Sequence, residues 1–257
     1  MTSLPSLRYA PGPKDFEKEV RSRFRAERRG GLHQAGRRKA LTLAGLVAVT
    51  IATLAIGRAP LLVAVATAGL QVVCFLAALG IGHDASHGAF SVSRATNRRA
   101  SWVFDLVGIS GYVWHFDHVL SHHAAPNVPG YDANLYVWGP IRLDPRSPLK
   151  PWHRFQALYA PLLYGLASLF KLYVEDFAVL ARSRPDAFLP PRHSRLQIGR
   201  VLITKVWATA FTLGWVLYLH RSHAGYVLGG WLAGHVVVGT IMGEFFQPTH
   251  TNQLVVH

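Results

Sequence analysis

Two short stretches hold five histidines at close spacing: His83-Asp84-Ala85-Ser86-His87 and His118-Val119-Leu120-Ser121-His122-His123. Imidazole binds first-row transition metals near neutral pH without a perturbed pKa. The single cysteine, Cys74, lies in a long apolar run, which excludes cysteine-based zinc or iron-sulfur ligation within one chain. A metal here must rest on histidine and carboxylate. His83 and His87 are four residues apart, as are His118 and His122, so on helices each pair shares a face one turn apart. His123 adds a nitrogen from a neighbouring direction. The set is too rich for one tetrahedral zinc, and spacing leaves iron, zinc, copper and manganese all open.

Asp84 has three readings: a direct ligand, an acceptor that orients a ligating imidazole, or a solvated charge. Metal-bound histidines commonly donate their second ring nitrogen to a carboxylate, which favours the orienting role. His115 precedes His118 by three residues on the same helical face and reads as a neighbour of the site. His33, His153, His193, His220, His223 and His257 are isolated and read as amphipathic interfacial anchors.

The surrounding chain must place these clusters at a membrane. Half of its residues are hydrophobic and 16% are charged, yet the net charge is +14. Apolar runs at Ala40 to Ile56, Leu61 to Ile81, Val201 to Leu219 and Tyr226 to Phe245 predict four spans, the first two joined by the tight turn Gly57-Arg58-Ala59-Pro60. Leu106 to Val113 is too short and glycine-broken to cross. Phe155 to Leu180 is apolar but carries Lys171, Glu175 and Asp176, so a position along the membrane surface is expected. Residues 1–39 form a basic arm with no signal-peptide pattern, and Phe16, Val20 and Phe24 recur on one face as in an amphipathic surface helix.

Lys and Arg crowd the arm and the stretch from Arg94 to Arg200, whereas the two short loops on the other side hold only Arg58 and Arg221. By the positive-inside bias, both histidine clusters and both termini are expected in the cytoplasm. The fold class is therefore an all-α integral membrane protein: four transmembrane helices in two hairpins under a cytoplasmic histidine cap. Its basic charge is assigned to the membrane surface and anionic groups there, with no nucleic-acid partner expected.

His-Asp-Ala-Ser-His-Gly at 83–88, then Trp114, His118, His122 and His123 with Asn127, Gly130 and Asp132 downstream, resembles the first two histidine boxes of membrane fatty acid desaturases. The likeness is nearest to the bacterial acyl-CoA and front-end, linoleoyl-CoA type branch. Trp152-His153-Arg154-Phe155-Gln156 with Tyr159, Leu162, Leu163 and Tyr164 looks like that branch's segment after box two, and the lead-in from Phe16 to Lys39 is also similar. The resemblance implies two irons held by eight or more histidines in three boxes, with His83, His87, His118, His122 and His123 matching ligands of boxes one and two. Asp84, Asp132 and Asn127 are then expected to support those ligands from behind. Asn134 stands where the family often has a second aspartate, and His115 where it usually has no histidine.

The implied reaction uses dioxygen and two electrons to place a cis double bond in an acyl chain carried by CoA, acyl-carrier protein or phospholipid. No heme domain or flavin or nicotinamide fingerprint is visible, so ferredoxin, or cytochrome b5 with its reductase, is the implied donor. The family's third box, a Gln- or His-x-x-His-His element, follows its fourth span, and this sequence ends before one occurs. Residues 40–257 thus read as a C-terminally truncated membrane domain that binds iron poorly and is weak or inactive alone. His235, or less well His250, is a candidate for an added ligand, since a mid-span histidine needs a reason. Lipid hydroxylase or ketolase chemistry uses the same boxes. A histidine-rich metal-binding or transport protein fits less well, because the span interiors are nearly uncharged, and a non-catalytic membrane remnant is a further alternative.

Overall fold

The structure is a computed structural model that describes residues 14–124, 126, 128, 132, 140–142, 147–181 and 193–246, with side chains from Gln34 to Glu244 within those segments. Among the described residues every regular element is helical. Four helices are long and apolar enough to cross a membrane: Gln34–Ile56, Pro60–Ser86, Arg195–Leu219 and Arg221–Glu244. The first is the end of one helix running Lys14–Ile56, so arm and span form one continuous rod. The amphipathic face expected of Phe16, Val20 and Phe24 falls outside the described side chains.

The second and fourth spans form the centre. Their crossing is built from small residues: a Cβ on Gly234 would lie 2.7 Å from the Ala68 carbonyl oxygen, and one on Gly230 would collide with the Ala64 carbonyl. Gly230 and Gly234 are four apart, as are Ala64 and Ala68, the spacing that lets two helix backbones touch in a membrane. Around this pair lie the first span, packed on the second, and the helices Gln156–Gly165 and Ala167–Phe170, packed on the fourth. Polar groups also bridge the spans. Gln71 Nε2 donates to the Thr212 carbonyl (3.4 Å), and Trp231 Nε1 donates to Thr212 Oγ1 (3.3 Å).

Leu54, Val63, Leu70, Val216 and Val227 bring all four spans into one apolar cluster at the end of the bundle away from the histidines. Buried His220 donates there from Nε2 to the Leu54 carbonyl at 2.7 Å, locking the turn between the third and fourth spans to the first. Outward-facing residues are apolar as well: Leu61, Ile203 and Leu162 are each at least 70% exposed, and such a belt is what lipid, not water, covers.

Two short helices, Val103–Leu106 and Gly111–Trp114, occupy the region expected to be too broken to span. Gly108 turns the chain between them at φ +97°, where a side chain would be strained and would also press on Ala208 and Leu172. Pro151–Gly165 and Ala167–Ala181 are bent by 60°, and by length and composition they make a broken span or a re-entrant loop. The charges that argued for a surface position here are turned inward. Lys171 and Asp176 are buried among protein groups, which removes the need for water around them.

Candidate metal centre

Each histidine cluster includes or adjoins helix with a wider turn than α. The second span continues past Ala77 as π-helix over Ala78–His83 and closes with Asp84–Ser86. Gly88, at φ +68°, ends it: the Gly88 N–H donates to the Ala85 carbonyl (3.1 Å) and the Ala89 N–H to the Asp84 carbonyl (2.7 Å). This pair of bonds is a Schellman cap, which needs the left-handed residue that glycine supplies. The second cluster sits on a π-helical segment, His115–His122, continuing from Gly111–Trp114. Ser110 starts that helix, its hydroxyl accepting from the Val113 N–H (3.2 Å). Interruptions of this type recur at functional sites because they re-aim side chains.

The two helices meet at their histidines. One ligand atom from each of His83, His87, His118 and His123 lies within 4.8 Å of all the others. His118 Nε2 is 3.2 Å from His83 Nε2 and 3.0 Å from His123 Nε2. Metal–imidazole bonds of about 2.1 Å put neighbouring donors roughly 3.0 Å apart on an octahedron and about 3.4 Å apart on a tetrahedron. These separations therefore suit ligands of one ion. His87 supports the same reading, since its Nε2 is buried with no hydrogen-bond partner in the structure. An ion is the partner such a nitrogen lacks.

His122 stands beside this group, its ring stacked 5.4 Å from that of His118, and is not one of the four. Its Nδ1–H donates to both oxygens of Asp132 at 3.0 Å, with both residues buried. That bond fixes the tautomer and leaves Nε2 as the nitrogen that can offer a lone pair to a metal. Asp84 lies between a lysine and a box-one histidine. One oxygen takes the Lys39 ammonium at 2.5 Å and the other is 4.0 Å from His83 Nδ1, beyond hydrogen-bond reach. Lys39, at the start of the first span, supplies a cation that the sequence did not single out.

Burial disfavours the protonated form of two of these imidazoles. His118 is pushed down to about 2, first by loss of water and then by His123, His83, His122 and His87. His87 is lowered by burial, with the Asp84 charge acting against it. Neutral imidazoles keep their lone pairs for a metal at neutral pH. Trp114 closes one side, its ring 4.2 Å from His118 and 4.7 Å from buried Phe104.

The remaining expectations divide. His235 is buried in the fourth span, bonded through Nδ1 to the Ser168 hydroxyl (3.0 Å) and facing Trp231, and it is not brought into the four-histidine group. His115 is exposed and packs on Phe116. His193 bonds to the Tyr112 hydroxyl (2.8 Å), and His153 Nδ1 accepts from the Lys150 N–H (3.1 Å). Asn127, Gly130, Asn134, His250 and His257 lie outside the described residues.

The family model described as "Fatty acid desaturase" matches residues 56–255, which include the whole cluster. The chain belongs to the fatty acid desaturase family. It is similar to the sn-1 linoleoyl-lipid 6-desaturase of Synechocystis sp., 25% identical over 195 residues, covering 75% of this chain and 54% of that one. An acyl-lipid (8-3)-desaturase of Physcomitrium patens is 26% identical over 193 residues, covering 68% and 38% respectively. The acyl-lipid (7-3)-desaturase of Rebecca salina reaches 36% identity over 110 residues, or 42% of this chain and 24% of that one. The chain thus spans about half or less of the length of these curated relatives. No solved structure matches it.

Proposed function

We propose that this chain is the membrane core of a fatty acid desaturase, with His83, His87, His118 and His123 holding iron and His122 adding a ligand through Nε2. The observation that carries the reading is the convergence of four imidazole nitrogens from two distant stretches within 4.8 Å. Iron bound there would supply the dioxygen chemistry that removes two hydrogens from an unactivated acyl chain to leave a cis double bond.

The protein's own part is to hold and shield. Asp132 keeps His122 in one tautomer, burial keeps His118 unprotonated, and the Trp114 and Phe104 rings exclude water from one side of the cluster. The Lys and Arg excess on the histidine side, against Arg58 and Arg221 alone on the short loops, supports cytoplasmic boxes and termini. Substrate is an acyl chain on CoA, acyl-carrier protein or phospholipid, and electrons come from ferredoxin, or from cytochrome b5 with its reductase.

Among the described residues, four clustered imidazoles and His122 supply five of the eight or more ligands that the family's di-iron centre implies. Lipid analysis of a host expressing it tests the reading: a new cis-unsaturated acyl product that disappears with His118→Ala supports it. A hydroxylated or keto product in its place overturns desaturation.

A further inference from the structure

Charges buried within membrane helices are costly and need a partner and a reason. The third span carries one such charge, Lys205, and the part-exposed Arg200 five residues before it. Arg200 pairs with Asp105 (2.5 Å), which also accepts from the Thr204 hydroxyl (3.2 Å). Lys205 pairs with Asp176, which is fully buried, and donates as well to the Gly108 carbonyl (2.5 Å).

Both carboxylates have a second occupation. Asp176 Oδ2 accepts from the Ser110 N–H (2.9 Å) and Asp105 Oδ1 from the Gly111 N–H (3.4 Å). Ser110 and Gly111 are the cap and first residue of the helix that runs into His118, His122 and His123. Helix starts favour negative charge because their N–H groups lack partners, so two neutralised carboxylates there fix both the position and the direction of the helix. Lys171, 4.0 Å from Asp176, lies over the Trp114 ring, which in turn packs against His118. The box-one histidines take their position from the second span instead.

We propose that Asp105, Asp176, Arg200 and Lys205 are positioning residues of the metal centre: through the start of the box-two helix they set His118 and His123 against His83 and His87. This rests on reading the cluster as a metal site. A role confined to stability makes a different prediction. Replacing a buried ion pair by apolar residues of similar size commonly preserves or raises stability, so the fold survives while the helix start loses its anchor.

The test is Co(II) titration of the purified full chain in detergent, read by affinity and by the ligand-field absorption of the bound ion. Asp176→Leu combined with Lys205→Met is expected to stay folded, its thermal midpoint lowered only by the backbone groups left unpaired at Ser110 and Gly108, yet to weaken Co(II) binding at least tenfold and change the spectrum. Asp105→Leu with Arg200→Met, at a pair nearer water, gives the same readout should the deeper pair fail to fold. A folded double variant that binds Co(II) with the parent's affinity and spectrum overturns the proposal alone. A parent chain with no Co(II) signal dependent on His118 overturns the metal reading and the proposal with it.

Discussion

Placing a methyl group on either of two adjacent glycines of the fourth span should have opposite effects. A Cβ on Gly229 meets nothing within 4 Å, whereas one on Gly230 runs into the Ala64 backbone of the second span. Ala is favoured over Gly inside a helix by about 0.5–1 kcal/mol, and that term is common to both substitutions. It therefore cancels in the comparison and leaves the packing cost. Separating two close-packed backbones to admit a methyl group costs about 1–3 kcal/mol. Gly229→Ala should match or exceed the parent, and Gly230→Ala should fall below Gly229→Ala by that amount. For a chain of this size the gap corresponds to roughly 2–4 °C in thermal midpoint per kcal/mol. Gly234→Ala, with three atoms of Ala68 and Gln71 under 3.0 Å from the new Cβ, should behave like Gly230→Ala. The assay is thermal unfolding of purified protein in one detergent. Equal midpoints for Gly229→Ala and Gly230→Ala would refute the close crossing of the second and fourth spans.

Three further substitutions or conditions probe the site. The metal-free protein should lose stability as pH falls below about 6.5, because unfolded histidine takes up a proton there while His118, held down to about 2, does not. The slope is about 1.4 kcal/mol per pH unit for one such group, and an unfolding series between pH 7 and 5 should show it flattened in His118→Asn. Asp132→Asn keeps an acceptor near His122 but removes the charge, and should weaken metal binding about 10–100-fold in a competition titration; unchanged affinity would remove Asp132 from the account. Gly88→Ala forces a side chain into left-handed backbone at the end of box one and should cost about 1–2 kcal/mol in thermal unfolding; a neutral result would mean the Schellman cap does not matter.

The parts of the site that are local in sequence are legible in it. Histidines four apart on helices, the apolar runs and the glycine that ends His83–His87 all follow from spacing and residue type. The meeting of His83 and His87 with His118 and His123 does not, since it depends on how the second span leans toward a helix 30 or more residues later; only the family resemblance carried it. The π-helical stretches were not legible either, because nothing in Ala78–His83 or His115–His122 marks a wider turn.

Charges were read by type without their partners. Lys171 and Asp176 pointed to a surface helix because the sequence shows an ion and not its buried counterion, and Asp84 was read without Lys39, the cation it meets. Two signals were present and unused. Gly230-x-x-x-Gly234 announces a close helix crossing, and Lys205 inside an apolar run announces a buried partner.

The claim that the four gathered histidines form a metal centre is tested most directly by iron retention. Purified chain loaded with Fe(II) without oxygen, then washed, should keep iron that His118→Ala releases, at least tenfold more readily, while His115→Ala, at an exposed position beside the cluster, keeps it. Equal iron in the parent and His118→Ala, or equal loss from His118→Ala and His115→Ala, would contradict the assignment.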